Sequence, residues 1–451
     1  MVDKRWLKKQ ANKVRKVDWI DPALYRKYGV KRGLRDDNGT GVLVGLTTIG
    51  NVHGYVMNEG EKQPIPGELY YRGINVRDLV DANRKEHRFG YEETAYLILF
   101  GELPTAAQLQ DWKDKIGSFR RLSDGFKENA ILRNPSKDLM NALARAVLFA
   151  YAFDPEGNPD DVSIEKCLWQ SMDLIGALPT MIAYAYQAKA HYHYGASLML
   201  RNTDPRKSTA ENILMLTRED GRYTRLEAET LDLALILHAE HGGGNNSSFT
   251  THVVTSSCSD IYSSVAASIL SLKGSRHGGA NLRVMKQFDE IKANVRGWEK
   301  PSNVVKYLEK IVDRQAGDGS GLIYGLGHAV YTISDPRAQM LKQKAEALAK
   351  EKGREAEMKL FEMIEEFGPG VIKSKHPSAA DVCANVDLYS GFVYDMLGIP
   401  RDLYTPLFAV ARCVSCCALR MEELVNAGPI IRPAYKPIFH PRDYVKLTDR
   451  K

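Results

Sequence analysis

No apolar run in this 451-residue chain approaches the roughly 18 residues that a bilayer crossing needs, so no membrane span is expected. Cysteine is scarce and irregularly placed. The six thiols, at 167, 258, 383, 413, 416 and 417, form no disulfide framework. Cys413-x-x-Cys416 has no companion pair and lies in an apolar helical stretch, residues 408–424, so it reads as buried thiols and not as a redox or metal motif. There is no low-complexity block and no repeat of fixed period. The basic opening residues are not followed by an apolar segment, which argues against a secretory signal. They include acids and no serine, unlike a transit peptide, and the closing Thr448-Asp449-Arg450-Lys451 is not a peroxisomal tail. A cytoplasmic protein is the expectation. Strand signals are few and short, at residues 41–47, 55–57 and 68–72.

Helical periods dominate instead. Apolar residues three and four apart mark residues 90–100, 138–151, 162–188 and 226–241. Residues 251–272 are small and apolar, as in a helix buried on most sides. Residues 336–366, 391–397 and 406–425 add further helices. The fold class read from this pattern is all-α: a large helical domain and a smaller one, with a small N-terminal β element. The expected boundaries are an arm at 1–35, a large domain at 36–276 resumed at 391–451, and a small domain at 277–390. Turn-rich stretches fall at 153–160, 202–208, 296–303 and 314–320. The net charge of +6 belongs to the arm, where twelve Lys and Arg face three Asp, so the remainder of the chain is acidic. An arm alone is not the basic folded face that nucleic-acid binding requires; it reads as solvated or as a subunit contact.

Five of the eleven histidines cluster at 238, 241, 252, 277 and 328. His238-Ala239-Glu240-His241 precedes three glycines and Asn245-Asn246-Ser247. Two histidines three apart share one helix face, but the order is not His-Glu-x-x-His and no third ligand is evident, so an anion pocket is favoured over zinc. Lys273-Gly274-Ser275-Arg276-His277-Gly278-Gly279 sets a histidine at a helix start, where unpaired N–H groups and the helix dipole favour the neutral ring. Tyr324-Gly325-Leu326-Gly327-His328-Ala329 runs on to Asp335-Pro336-Arg337, a helix start with Pro in its first turn. It is not a dinucleotide fingerprint, since no strand precedes it. Asn385-Val386-Asp387 and the arginines Arg412 and Arg432 complete the set. Arg412, on an apolar helix, requires either an anionic ligand or an internal ion pair.

Together and in this order, these elements resemble the citrate synthase family. The Gly-x-Gly-His-Ala-Val run ending in Asp335-Pro336-Arg337 is similar to that family's signature. Tyr71-Arg72-Gly73, the 97–104 segment, Phe153-Asp154-Pro155, Leu178-Pro179-Thr180 and Arg432-Pro433 extend the likeness along most of the chain. The resemblance implies a citrate synthase-like fold and condensation of acetyl-CoA with oxaloacetate and water to citrate and CoA, the entry to the tricarboxylic acid cycle. It implies Asp387 as the base, His277 as donor to the thioester oxygen and His328 as donor to the ketone. It implies His241, Arg337 and Arg412 on the carboxylates of oxaloacetate, and Arg432 reaching a neighbouring subunit's site in a homodimer. Asn245 and Ser247 would line the pocket, with Ser247 orienting His277. The loop of Leu322, Ile323, Tyr324, Gly325, Leu326, Gly327 and Ala329 would cradle the CoA adenine. No metal or permanently bound cofactor is implied; acetyl-CoA is a co-substrate.

The chain departs from the family pattern at Gly242, Thr332 and Ala384, and it lacks the usual basic residue just upstream of Asp387; Lys373 and Lys375 lie nearby as substitutes. The alternatives are a 2-methylcitrate synthase using propionyl-CoA, with Leu388 and Phe392 as the acyl wall, or a non-catalytic relative that binds CoA or oxaloacetate. One methylene shifts binding by only about 1–3 kcal/mol.

Overall fold

Side-chain caps write many of the helix starts in this chain. Thr105 with Gln108, Ser208 with Glu211 and Thr224 with Glu227 form reciprocal capping boxes. Asp138, Asp260, Asp335 and Asn385 each accept a backbone N–H of a first turn. A computed structural model describes residues 3–36, 40–59, 61–155, 157–158, 160–275, 277–439 and 441–450.

Residues 1–46 form one unit. It carries α1 (Lys4–Val17) and α2 (Pro22–Lys27), neither of which buries a residue. Residues 47–451 form the second unit. It opens with an antiparallel sheet of β1 (Gly50–Asn58), β2 (Glu61–Tyr71) and the short β3 (Ile74–Asn75), in the order β1-β2-β3. There follow α3 (Val76–Lys85), α4 (Tyr91–Phe100), α5 (Ala106–Ser118), α6 (Leu139–Ala150), α7 (Ile164–Tyr194), α8 (Thr209–Thr217), α9 (Arg225–His238), α10 (Asn246–Thr255) and α11 (Ile261–Lys273). Next come α12 (Ala280–Asn294), α13 (Pro301–Val312), α14 (Pro336–Lys352), α15 (Glu355–Lys375), α16 (Val386–Met396) and α17 (Tyr404–Asn426).

The all-α expectation with a small β element agrees with this order, and several boundaries differ. Residues 41–47 form no strand; the only pairing there is an isolated bridge from Gly41 to Arg35. The segment 251–272 is two helices, because Cys258 takes a positive φ of 59° and Asp260 caps a fresh start. The segment 336–366 is likewise broken, by Gly353 in the left-handed conformation at the end of α14.

α17 is the axis of the second unit, packed by α4, α7, α9, α10 and α11. Its hydropathy and length would suit a bilayer, yet 94% of its apolar window is buried inside the protein, which marks a core helix. α12, α14 and α16 pack together, α13 packs on α15, and α14 also meets α9 and β2. All of Cys167, Cys383, Cys413, Cys416 and Cys417 are buried free thiols. Two sheet glycines matter for the site. A Cβ at Gly67 would lie 2.1 Å from the Ser334 carbonyl oxygen, and one at Gly54 would lie 2.8 Å from that of Val330. Only glycine lets the 330–334 backbone rest on the sheet. The Tyr331 hydroxyl secures it by donating to the Glu68 carbonyl at 3.1 Å.

Candidate active site

His277 lies in the turn between α11 and α12, two residues before the Gly279 cap. Its own N–H donates to the Gly274 carbonyl, and the Gly278 N–H closes onto Leu272. The Thr405 hydroxyl donates to the Gly278 carbonyl at 3.0 Å, which ties this turn to the start of α17. The ring's Nε2 accepts the Ser247 backbone N–H at 3.3 Å and lies 3.2 Å from the Ser247 hydroxyl. A backbone N–H can only donate, so Nε2 is bare and the proton sits on Nδ1. Ser247 is itself held by Asn245, the cap of α10, whose Oδ1 accepts both its N–H and its hydroxyl. Burial, and then the Arg412 guanidinium, pull the His277 imidazole down to about 4. The ring is therefore neutral at pH 7, as expected, but desolvation and a nearby cation cause it where a helix dipole was anticipated. Arg276, the cation read beside it, lies outside the described residues.

His328 follows Gly325 and Gly327, both at φ near +90°. Its Nδ1 accepts the N–H groups of Val330 and Tyr331, each at 3.1 Å. By the same logic Nδ1 is bare and Nε2 carries the proton. The ring stacks on Tyr331 with centroids 4.7 Å apart and meets His241 edge-on at 4.9 Å.

The His328 loop is also bolted to the segment that carries Asp387. Gly327 N–H donates to the Cys383 carbonyl at 2.8 Å and Asn385 N–H to the Gly325 carbonyl at 2.9 Å. The Asn385 amide donates to the Gly327 carbonyl at 2.8 Å, while its oxygen caps α16 through the Asp387 N–H. A Cβ at Gly325 would strike Leu388 at 2.7 Å, so glycine is needed for this approach as well as for φ. Asp387 thus sits in the first turn of α16, partly accessible, with no hydrogen bond to its carboxylate among the described residues. Burial pushes that carboxyl up to about 6; Arg337 opposes the rise and Asp335 adds to it.

Two buried arginines sit nearby in different states. Arg337 is clamped by Asp335, with Nε at 3.0 Å and Nη2 at 2.7 Å. Arg412 donates Nε to the His238 carbonyl at 2.9 Å, but neither Nη1 nor Nη2 has a partner among the described residues. It makes no internal ion pair with a described residue, so the anion reading stands alone. A guanidinium 1% exposed with two idle NH2 groups is costly unless an anion arrives to take them. His241 and His238 are buried, and among the described residues both ring nitrogens of His238 and Nε2 of His241 have no partner. Burial, then the fields of Arg337 and Arg412, hold both rings well below the usual range and hence neutral. His238 ends α9 while His241 lies beyond it, so they do not share a helix face. Among the described residues no cluster of three or more His, Cys, Asp or Glu could hold a metal ion.

His241, Asn245, Ser247, His277, His328, Arg337, Asp387 and Arg412 are therefore joined by hydrogen bonds, ring contacts or mutual fields. Arg432 is not among them. It is exposed on the extended tail after α17, next to Ile431, whose N–H donates to the Ser256 hydroxyl. In the 322–329 loop, Leu322 and Ala329 are exposed, Ile323 is buried, and Leu326 bridges Ala384. The Tyr324 hydroxyl, held by Asp318 and Arg283, pins the far end. Beside this loop, Lys373, Asp381 and Val382 line a cavity of about 230 Å³. Lys373 is paired there with Asp381 at 3.1 Å, whereas Lys375 is engaged by Asp313.

The sequence reading missed four participants. Asp335 reads from sequence only as a helix start, and Tyr331 only as part of a motif. Phe408 stacks on His238 with centroids 4.3 Å apart and underlies Arg412; its place one turn before Arg412 is the signal that could have found it. Tyr394, seven residues after Asp387 on α16, has a buried hydroxyl without a partner among the described residues and feels the Asp387 charge. Phe392 packs tilted against Phe361 at 4.6 Å in an aromatic core, and Leu388 lies fully buried against Gly325.

Residues 38–434 match the family model described as citrate synthase, C-terminal domain. The chain is 34% identical to the citrate synthase of Haloferax volcanii over 81% of its own length and 88% of that protein. It is 31% identical to the 2-methylcitrate synthase of Shewanella oneidensis, over 85% and 90% of the two chains. Among solved structures, the ternary complex of carboxymethyl coenzyme A and oxaloacetate with citrate synthase from Thermoplasma acidophilum aligns with a TM-score of 0.74. That match is at 27% identity and covers 93% of this chain and 99% of that one.

Proposed function

The chain belongs to the citrate synthase family, the acyltransferases that condense a CoA thioester with oxaloacetate, and from that premise we propose that its acyl donor is acetyl-CoA and its product citrate. The observation that carries the assignment of roles is the pair of oppositely protonated histidines, His277 with its proton on Nδ1 and His328 with its proton on Nε2, together with the Asp387 carboxylate, which accepts no hydrogen bond among the described residues.

The thioester α-carbon is a weak acid, so a carboxylate needs help to remove its proton. Asp387, raised to about 6, is a stronger base than an ordinary carboxylate yet still ionised at neutral pH. As it takes the proton, charge moves to the thioester oxygen, where the neutral His277 donates through Nδ1. One such donor is worth about 3 kcal/mol. The enol carbon then attacks the ketone of oxaloacetate, whose oxygen gathers charge against the Nε2 proton of His328. The idle Nη groups of Arg412 take one substrate carboxylate bidentately, and His241 and Arg337 hold the other end. Water finally cleaves the citryl thioester, releasing CoA and citrate.

The relatives named citrate synthase, at up to 34% identity, support the two-carbon acyl group over propionyl. The loop 322–329 takes the adenine, and Lys373, paired with Asp381 at the neighbouring cavity, stands in for the basic residue that the family carries upstream of Asp387. Arg432, exposed on its tail with Ile430, Tyr435 and Phe439, is offered to a second copy of the chain, which makes a homodimer the working enzyme.

Thiol release with oxaloacetate, comparing acetyl-CoA and propionyl-CoA, tests the reading. A higher kcat/KM with acetyl-CoA is expected. The reverse ratio assigns 2-methylcitrate synthesis, and no release with either makes the protein a binding relative.

A further inference from the structure

At ~3.6 residues per turn, Trp6, Leu7, Ala11, Val14 and Val17 fall on one side of α1. Lys4, Arg5, Lys8, Lys9, Lys13, Arg15 and Lys16 all fall on the other side, and the helix contains no acid. The apolar side is open: Trp6 is 53% exposed and Val14 57%, and beyond the helix Trp19 is 67% exposed. The helix closes its own ends, with Asp3 capping the Arg5 N–H and Arg15 and Lys16 in the last turn.

From this segregation we infer that α1 lies on a bilayer surface carrying anionic phospholipid, a site separate from the catalytic one. A protein groove takes only the apolar side of such a helix and is indifferent to the charge that faces water, where a mixture of signs serves solubility. A lipid surface uses both sides at once. The Trp and aliphatic side chains enter the acyl boundary, and the Lys and Arg stems reach back to the phosphates. Seven cations without an acid match that second requirement. The body of the chain, which is net acidic, is then held at the surface through the arm and not by its own charge.

The test is sedimentation of the full chain with vesicles of phosphatidylcholine alone or with added phosphatidylglycerol, at low and high salt. Binding is expected only to the anionic vesicles and should weaken with salt. Each cation removed lowers the partition coefficient about fivefold, so Lys8→Gln with Lys9→Gln lowers it roughly 25-fold. Leu7→Glu with Val14→Glu abolishes binding. Thiol release in solution stays unchanged in both variants, which separates failure of this inference from failure of the catalytic reading. Two results overturn it: no sedimentation with anionic vesicles, or equal sedimentation with both lipids. A third is a smaller assembly for the Leu7→Glu, Val14→Glu variant without vesicles, which makes a second copy of the chain the true occupant.

Discussion

The loop after α11 and the loop before α14 each present one histidine, and they fix it by the same means to opposite ends. Backbone N–H groups claim Nε2 of His277 and Nδ1 of His328. Each ring is left with a single donor, on opposite nitrogens, and no rotation of a side-chain partner can reverse the choice. The supports differ. His277 hangs from a chain of two side chains, Asn245 and Ser247, at the start of α10. His328 is pinned by its own following residues and by three hydrogen bonds to the Asp387 segment. The first donor is set by a neighbouring helix, the second by the same bolt that positions Asp387.

Breaking what the two loops share gives the largest effect. Asp387→Asn removes the proposed base and should lower kcat about 10²–10⁴-fold. Oxaloacetate binding by calorimetry should persist, because Arg412 and His241 are untouched. Near-normal turnover would leave Asp387 without a role. In the parent protein, the acid limb of kcat/KM should fall below about pH 6, where Asp387 protonates. His277, held down to about 4, does not set that limb.

Separating the loops is the next step. His277→Gln and His328→Gln should each cost about 10²–10³ in condensation. They diverge in a half-reaction: exchange of the thioester α-protons with solvent beside a dicarboxylate that lacks the ketone. His277→Gln should lose this exchange and His328→Gln should keep it. Equal loss in both would mean that the two donors do not act on different oxygens.

The arginines sharpen the contrast at smaller scale. Arg412→Met should raise the oxaloacetate KM, as a lost charged hydrogen bond of about 2 kcal/mol would, and leave Tm near the parent value because its Nη groups have no partner to strand. Arg337→Met should lower Tm, since Asp335 would be left buried and unpaired. Matching Tm losses would mean that the Nη groups of Arg412 have a structural partner of their own, beyond the Nε bond to the His238 carbonyl.

How much of this was legible in the sequence follows from range. His277, His328 and Asp387 stand in short glycine- or asparagine-marked settings that a local reading can isolate, and long apolar periods reveal helices such as α7, α9 and α17. The bolt between Gly325, Gly327, Cys383 and Asn385 joins segments far apart in the chain, without a strand pattern on either side, so nothing local announces it. β1 and β2 were seen only in part because Gly54, Pro64, Pro66 and Gly67 spoil their propensity. Those strands exist through pairing and through contact with the His328 loop. Phe408 and Tyr394 looked like ordinary core residues because they are buried; only their neighbours make them part of the site.

The smallest effect concerns stability and comes from the same base. The folded-state pKa of Asp387 is raised from 3.8 to about 6, so the native protein binds this proton more tightly than the unfolded chain does. Its contribution to stability is full below the unfolded value and is lost as pH rises through about 6. His277, lowered to about 4, has the opposite sign: its contribution is lost as pH falls below 6.5 toward 4. Asp387→Asn deletes only the first term. The variant should therefore melt above the parent at pH 7, where the parent keeps a desolvated charge, and close to it at pH 4. A Tm difference independent of pH would show that the Asp387 carboxylate carries no desolvation cost. The site would then have tuned His277 by burial while leaving Asp387 an ordinary acid.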